Sequence, residues 1–168
     1  VRIDDTAMPP HLAASDKPVE MIAASQLRPA MLTRNDIVYI GLFSGMGLLE
    51  DLAFREQGVR LGESYDELRD GPSGRRLVSE EARSLASPAF YRDYALLTRF
   101  EAPGGAQVVV LAGARDTGLR ALAPLATAEL EGDLADAAAG GPFEALFEIT
   151  GQQGADLSER LLLARARQ

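Results

Sequence analysis

The chain has 168 residues, a formal net charge of −8, 46% hydrophobic and 25% charged residues, one histidine and no cysteine. That balance suits one globular domain with a single sizeable core and excludes collagen-like or disordered chains. The acid excess argues against nucleic acid and acidic membrane surfaces as partners; the missing cysteine excludes disulfides, thiolate nucleophiles and Cys-ligated zinc.

No apolar run approaches the ~18–20 residues of a membrane span. The expectation is therefore a single α/β domain over residues 1–168, part of a longer protein, with no membrane contact in this fragment and the cytoplasm as favoured compartment. The lone histidine, His11, lies in the Pro-rich MPPHLAAS stretch beside no strand end and reads as an exposed loop residue rather than a catalytic base.

In chain order, VRIDD reads as a short strand and TAMPPHLAASDKP as a turn-rich connector. VEMIAA is a second strand candidate. SQLRPAML follows as one or two helical turns, with Ser25 as N-cap and Pro29 in the first turn. NDIVYIG is a continuous β-branched and aromatic run of the kind buried on both faces, so these three segments read as a parallel βαβ start. LLEDLAFREQ then reads as a helix of about three turns, its apolar side formed by Leu48, Leu49, Leu52 and Phe54, with Gly58 as C-terminal cap.

VRLGE is a short strand, and ESYDELRDGPSGRRLVSE a protruding polar hairpin about a DGPSG turn. SEEARSLA is a short helix. YALLTRFEAPGGAQVVVLAG gives two apolar runs joined by APGGAQ, an antiparallel hairpin in the main sheet, and GARDTG opens a helix that Pro124 interrupts. TAELEGDLADAAAGG is a second helix with Thr127 as N-cap. FEALFEIT and ERLLLARA close the chain as a strand pair, with Phe143, Ala145, Phe147 and Ile149 on one face. The sum is a single three-layer Rossmann-like domain with a mixed sheet, parallel at its start and built of antiparallel hairpins later.

Chemistry concentrates in two glycine turns. GLFSGMGLLE lacks the Lys-Ser/Thr ending of a P-loop and departs from G-x-G-x-x-G at Glu50, yet a strand–glycine–helix junction aims backbone N–H groups at an anion. Gly41, Gly45 and Gly47 would let a ligand approach the backbone, and Ser44 would add a hydroxyl. GARDTG repeats the arrangement with Gly113, Arg115, Asp116 and Thr117; Arg115 offers a planar fork for a carboxylate or phosphate. Asp116 or Thr117 would cap the following helix. If QVVVLAG runs parallel to NDIVYIG, both turns leave one carboxyl edge, where open α/β sheets bind ligands. GESYDEL brings Tyr65 to stack on a planar ligand and Asp66 to accept from it. YRDY, with Arg92 and Asp93, reads as a solvated strand entry.

DIVYIGLFSGMGLL, GESYDEL, RDY and VVVLAGARDTG together resemble the C-terminal α/β module of proteobacterial multidomain proteins, some of them described as helix-turn-helix transcriptional regulators. The likeness spans residues 36–118. It implies a bacterial sensor or effector module attached to another domain, with Ser44, Tyr65, Asp66 and Arg115 as ligand contacts and DNA contacts lying elsewhere.

Three functional readings follow. The first is a ligand-sensing regulatory domain that binds a small anionic metabolite at the glycine turns, with no metal and no cofactor. The second is a structural or self-association module without ligand, a homodimer through the apolar C-terminal strands. The third is a hydrolase or transferase acting on a nucleotide or sugar phosphate, with Asp66 or Glu63 as base; no nucleophile–base set marks a catalytic residue.

Overall fold

The computed structural model describes residues 20–54, 58–80, 90–126, 128–152 and 155–167. Its main sheet has five strands: β1 (Ile37–Leu42), β5 (Tyr91–Glu101), β6 (Gln107–Gly113), β7 (Phe143–Gln152) and β8 (Ala155–Ala166), in the order β1-β6-β5-β7-β8. A second, antiparallel sheet joins β2 (Val59–Leu61), β3 (Glu67–Asp70) and β4 (Arg76–Val78) in the order β2-β3-β4. Three short helices complete the described residues: α1 (Glu50–Ala53), α2 (Asp116–Leu122) and α3 (Gly132–Ala139).

This overturns the Rossmann-like expectation, because strand outweighs helix and half of the helical-looking sequence forms isolated 3-10 turns. VEMIAA contributes no strand: residues 20–23 are irregular and Ala24–Gln26 is a 3-10 turn with Ala23, not Ser25, as N-cap. Pro29 does open a second 3-10 turn, Pro29–Thr33. Among the described residues no strand precedes β1, so the expected βαβ start through VEMIAA is not formed. The parallel partner of β1 is β6, in register from Ile37↔Val108 to Leu42↔Gly113. The crossover that parallel strands require is the whole excursion through the small sheet and β5. All other pairings in the main sheet are antiparallel.

Buried-on-both-faces character belongs to the inner strands β5, β6 and β7, and not to β1. Val38 and Ile40 on β1 are 44% and 55% exposed, as an edge strand permits. The expected three-turn helix is a pair of 3-10 turns, Phe43–Gly45 and Gly47–Leu49, running into the single turn of α1, which ends on Phe54 rather than Gly58. Its residues still bury: Phe43, Met46, Leu49 and Ala53 pack beneath the sheet, and Phe43 meets Phe54 edge-on at 5.5 Å. VRIDD, the His11 stretch, most of SEEARSLA and Thr127 lie outside the described residues; α3 begins beyond Glu131.

Strand alternation sorts the core. Ala95, Leu97, Val109, Leu111, Phe143, Ala145, Phe147 and Ile149 face α2 and α3. Leu96, Phe100, Val108, Val110, Ala112 and Leu146 face the 3-10 turns and the small sheet, whose Val59, Leu68 and Leu77 are buried. The DGPSG hairpin is therefore not a protrusion. It packs its apolar side on the main sheet, and Pro124 ends α2 as its missing N–H dictates.

Polar pairs clamp the two sheets. The carboxylate of Glu144 accepts from the Val59 amide (3.1 Å) and from Arg165 (2.7 Å), and Arg165 also reaches Asp70 at 2.7 Å. Arg167 spans to the Leu52 carbonyl and to Thr98 while its guanidinium lies 4.3 Å from the Phe100 ring centre. On the small sheet, Arg76 first and Arg69 second hold the buried Glu67 carboxyl at about 2 against an ordinary 4.5, in spite of its burial.

A folded-state value below the unfolded one gives stability that is complete above pH ~4.5 and fades as pH falls toward 2. Glu67→Gln is thus expected to unfold at lower urea than the parent at pH 7, and the gap should narrow steadily between pH 4.5 and 2. Urea titrations at pH 7, 4 and 2.5 measure this; a gap independent of pH would mean that the loss is one of packing.

Candidate functional site

Both glycine turns leave the same sheet edge, because Leu42 and Gly113 are register partners at the carboxyl ends of parallel β1 and β6. What the glycines do there is first of all internal. Tyr39 donates its hydroxyl to the Leu42 carbonyl (2.6 Å), and a Cβ at Gly41 would stand 2.6 Å from that hydroxyl oxygen. Gly45 lies under the same hydroxyl, and Gly47, at φ +54°, turns the chain between the two 3-10 segments. Ser44, Gly45 and Gly47 are exposed. Gly113 permits a close approach of backbone to backbone: a Cβ there would lie 2.4 Å from the Leu119 amide nitrogen, so any side chain would push α2 off the strand end.

Two amides at the start of α2 are satisfied from within the protein. Neither Asp116 nor Thr117 caps it; Arg115 occupies the N-cap position without a side-chain cap bond. Asp93 on β5, fully buried, accepts instead from the Arg115 amide (3.2 Å) and the Gly118 amide (2.6 Å) with one carboxylate oxygen, and from the Ser79 hydroxyl (2.7 Å) with the other. Asp116 is exposed, whereas Thr117 is buried with its hydroxyl 3.1 Å from that of Tyr91. The expectation of a solvated Asp93 is thus corrected. Position 93 shares strand parity with Ala95 and Leu97, which face α2, and this spacing is the signal that would have located it.

Asp66 and Arg115, 49 positions apart, form a two-toothed ion pair: Nε to Oδ1 at 2.6 Å and Nη2 to Oδ2 at 2.8 Å. The side chains are 43% (Arg115) and 24% (Asp66) exposed. The Ser79 amide donates to the Asp66 carbonyl at 2.7 Å. A closed hydrogen-bonded ring results, running from the Asp66 carboxylate to the Arg115 guanidinium, along Arg115 to its amide, to Asp93, to Ser79 and back to Asp66. It joins the loop between β2 and β3, the end of β4, the strand β5 and the start of α2.

Tyr65, beside Asp66, donates its half-exposed hydroxyl to Glu50 on α1 at 3.0 Å, and that hydrogen bond, with the nearby Glu50 charge, raises its pKa above the usual phenol value. Glu63 projects into solvent, 82% exposed, 3.7 Å from Arg69.

Of the sequence-selected residues, the structure therefore joins Asp66 to Arg115 and ties Tyr65 to the end of the first glycine turn. Ser44, Gly41, Gly45 and Gly47 stand at the neighbouring strand end, and Asp116 faces water. Among the described residues no group of three His, Asp or Glu side chains is placed to hold a metal ion, and no helix is long and apolar enough to cross a membrane. A small apolar cavity of about 20 Å³ lies elsewhere, on the helix-covered face among Leu97, Val109, Leu111, Leu125, Leu130 and Phe143. No protein-family model, no curated protein and no solved structure matches the chain.

Proposed function

We propose that this domain is a ligand-sensing regulatory module that binds a small anionic metabolite at the carboxyl edge shared by β1 and β6. The observation that carries the reading is the Arg115 guanidinium, half-exposed at that edge and already engaged with a carboxylate in the fork geometry an external carboxylate or phosphate would adopt. Exposed Ser44 and Tyr65 supply a hydroxyl donor and a ring on neighbouring segments. A partly exposed ion pair contributes about 1 kcal/mol or less, so a competing anion meets a small barrier.

The enzyme reading receives less support. Both carboxylate oxygens of Asp66 are occupied by Arg115, which leaves neither aimed at a substrate proton, and Glu63 stands in open solvent. Self-association through the outer strand β8 is also less favoured. Register shifts between Leu146/Phe147 and Thr150/Gly151, together with the charges of Glu159, Arg160 and Arg165, blunt that edge for pairing.

The test is a calorimetric screen of small carboxylates and phosphates against the parent and Arg115→Ala. Every anion that binds the parent is expected to lose at least tenfold in affinity to the variant, the scale of one charge-assisted hydrogen-bonded pair at ~1.5–3 kcal/mol. Equal affinity would remove Arg115 from the site and the reading with it.

A further inference from the structure

We infer that Asp66 is a built-in competitor for the anion site, a tethered carboxylate that holds the loop between β2 and β3 closed until an external carboxylate replaces it on Arg115. The inference rests on the anion-binding reading above and adds what ligand binding does to the protein. Its basis is the geometry of the loop. Among the described residues, the side-chain bonds that tie its tip to distant elements are the two from Arg115 to Asp66 and the one from Tyr65 to Glu50, while Glu63 pairs loosely with Arg69 on the adjoining strand. Its backbone bonds are local or borrowed from β4: the Gly62 amide to Glu67, the Glu67 amide to Ser64 and the Ser79 amide to Asp66.

A carboxylate of the chain itself already takes both teeth of the Arg115 fork, so the ligand class is a carboxylate that presents the same two oxygens. A tethered group on a short loop acts at an effective concentration on the order of millimolar. A free metabolite at comparable concentration competes with it. Displacement unties Asp66 while Arg115 remains on Asp93 through its amide, so α2 keeps its place and the motion is confined to the small-sheet side. Arg115 thereby converts occupancy at the main sheet into release of a loop on the other sheet.

The experiment compares the parent, Asp66→Asn and Asp66→Glu by hydrogen exchange and by calorimetric titration with succinate and with inorganic phosphate. Without any anion, Asp66→Asn is expected to speed exchange of the Gly62, Glu67 and Ser79 amides and to leave the Val59 amide, bound to Glu144, unchanged. Succinate is expected to bind Asp66→Asn up to about fivefold more tightly than the parent, since apparent affinity scales with the fraction of open sites. Asp66→Glu, with its charge on a longer arm, should fall between them, and phosphate should bind less tightly than succinate throughout.

Unchanged loop exchange in Asp66→Asn overturns the inference, as does equal succinate affinity in parent and Asp66→Asn. In both cases, binding that is lost in Arg115→Ala would leave the anion site standing. If neither probe binds the parent or either Asp66 variant, the anion site and its competitor fall together.

Discussion

Asp93→Ala is expected to destabilise the domain by about 3 kcal/mol, while Asp93→Asn stays within about 1 kcal/mol of the parent. The alanine variant strips the partner from the buried Gly118 amide, the Ser79 hydroxyl and the Arg115 amide. Each buried donor left without an acceptor costs ~1–3 kcal/mol, and loss of a cap at the helix start adds ~1. Part of that sum is returned, because the carboxylate no longer has to be desolvated; the net is set by the donors left behind. Asparagine keeps one oxygen toward the two amides and turns its NH2 toward the Ser79 hydroxyl, which can accept. For a chain of this length the alanine change corresponds to a Tm lowered by roughly 6–12 °C. Urea unfolding of the three proteins at pH 7 measures it. A midpoint for Asp93→Ala equal to the parent's would mean that the start of α2 is held by something other than this carboxylate.

The same residue shows where sequence reading runs out. Strand pairs that are neighbours along the chain are legible, because a turn such as APGGAQ or DGPSG sets both partners and register: β5 with β6, β3 with β4, and β7 with β8 were expected from local pattern and are present. The placement of β1 beside β6 joins segments separated by the whole small sheet, and no local feature distinguishes it from pairing with an earlier strand. Apolar spacing at Leu48, Leu49 and Leu52 does not separate an α-helix from 3-10 turns, and of the three only Leu49 is fully buried, Leu48 being 46% exposed.

The site follows the same rule. Asp66 and Arg115 each carry a chemical type that marks them individually, whereas their partnership depends on how two sheets stack. A carboxylate on the buried parity of β5 announces that it needs donors. It does not announce that they are the amides of α2, which means that an expected ligand position at that helix start is filled by the protein's own side chain. Legibility fails where a residue's role is decided by a distant segment.

Arg165→Ala carries the other large effect, about 3 kcal/mol at pH 7, and its signature is a flattened pH dependence. Arg165 bridges two buried carboxylates, Asp70 and Glu144, across the two sheets. Removing the cation from a buried ion pair costs ~3–5 kcal/mol because the partner charges stay behind; partial exposure of the guanidinium, at 29%, places the loss at the lower end. Arg165→Lys should recover only part of it, since one ammonium does not reproduce a planar fork between two carboxylates.

Burial by itself would raise the Asp70 carboxyl, but hydrogen bonds from Ser73 and Arg165 together hold it below its ordinary value. In the parent the folded-state pKa is therefore below the unfolded one, and this contribution is present above pH ~4 and lost as acid drives protons onto the folded form. In Arg165→Ala burial is opposed by Ser73 alone, so protonation ceases to be a penalty and relieves an unpaired charge. Parent and variant should therefore converge in urea midpoint as pH falls from 7 to 3, the parent losing stability over a range in which the variant loses little. Parallel curves over that range would show that the arginine contributes through the packing of its stem against the sheet, and the charge clamp between the two sheets would then have to be assigned to Glu144 and the Val59 amide alone.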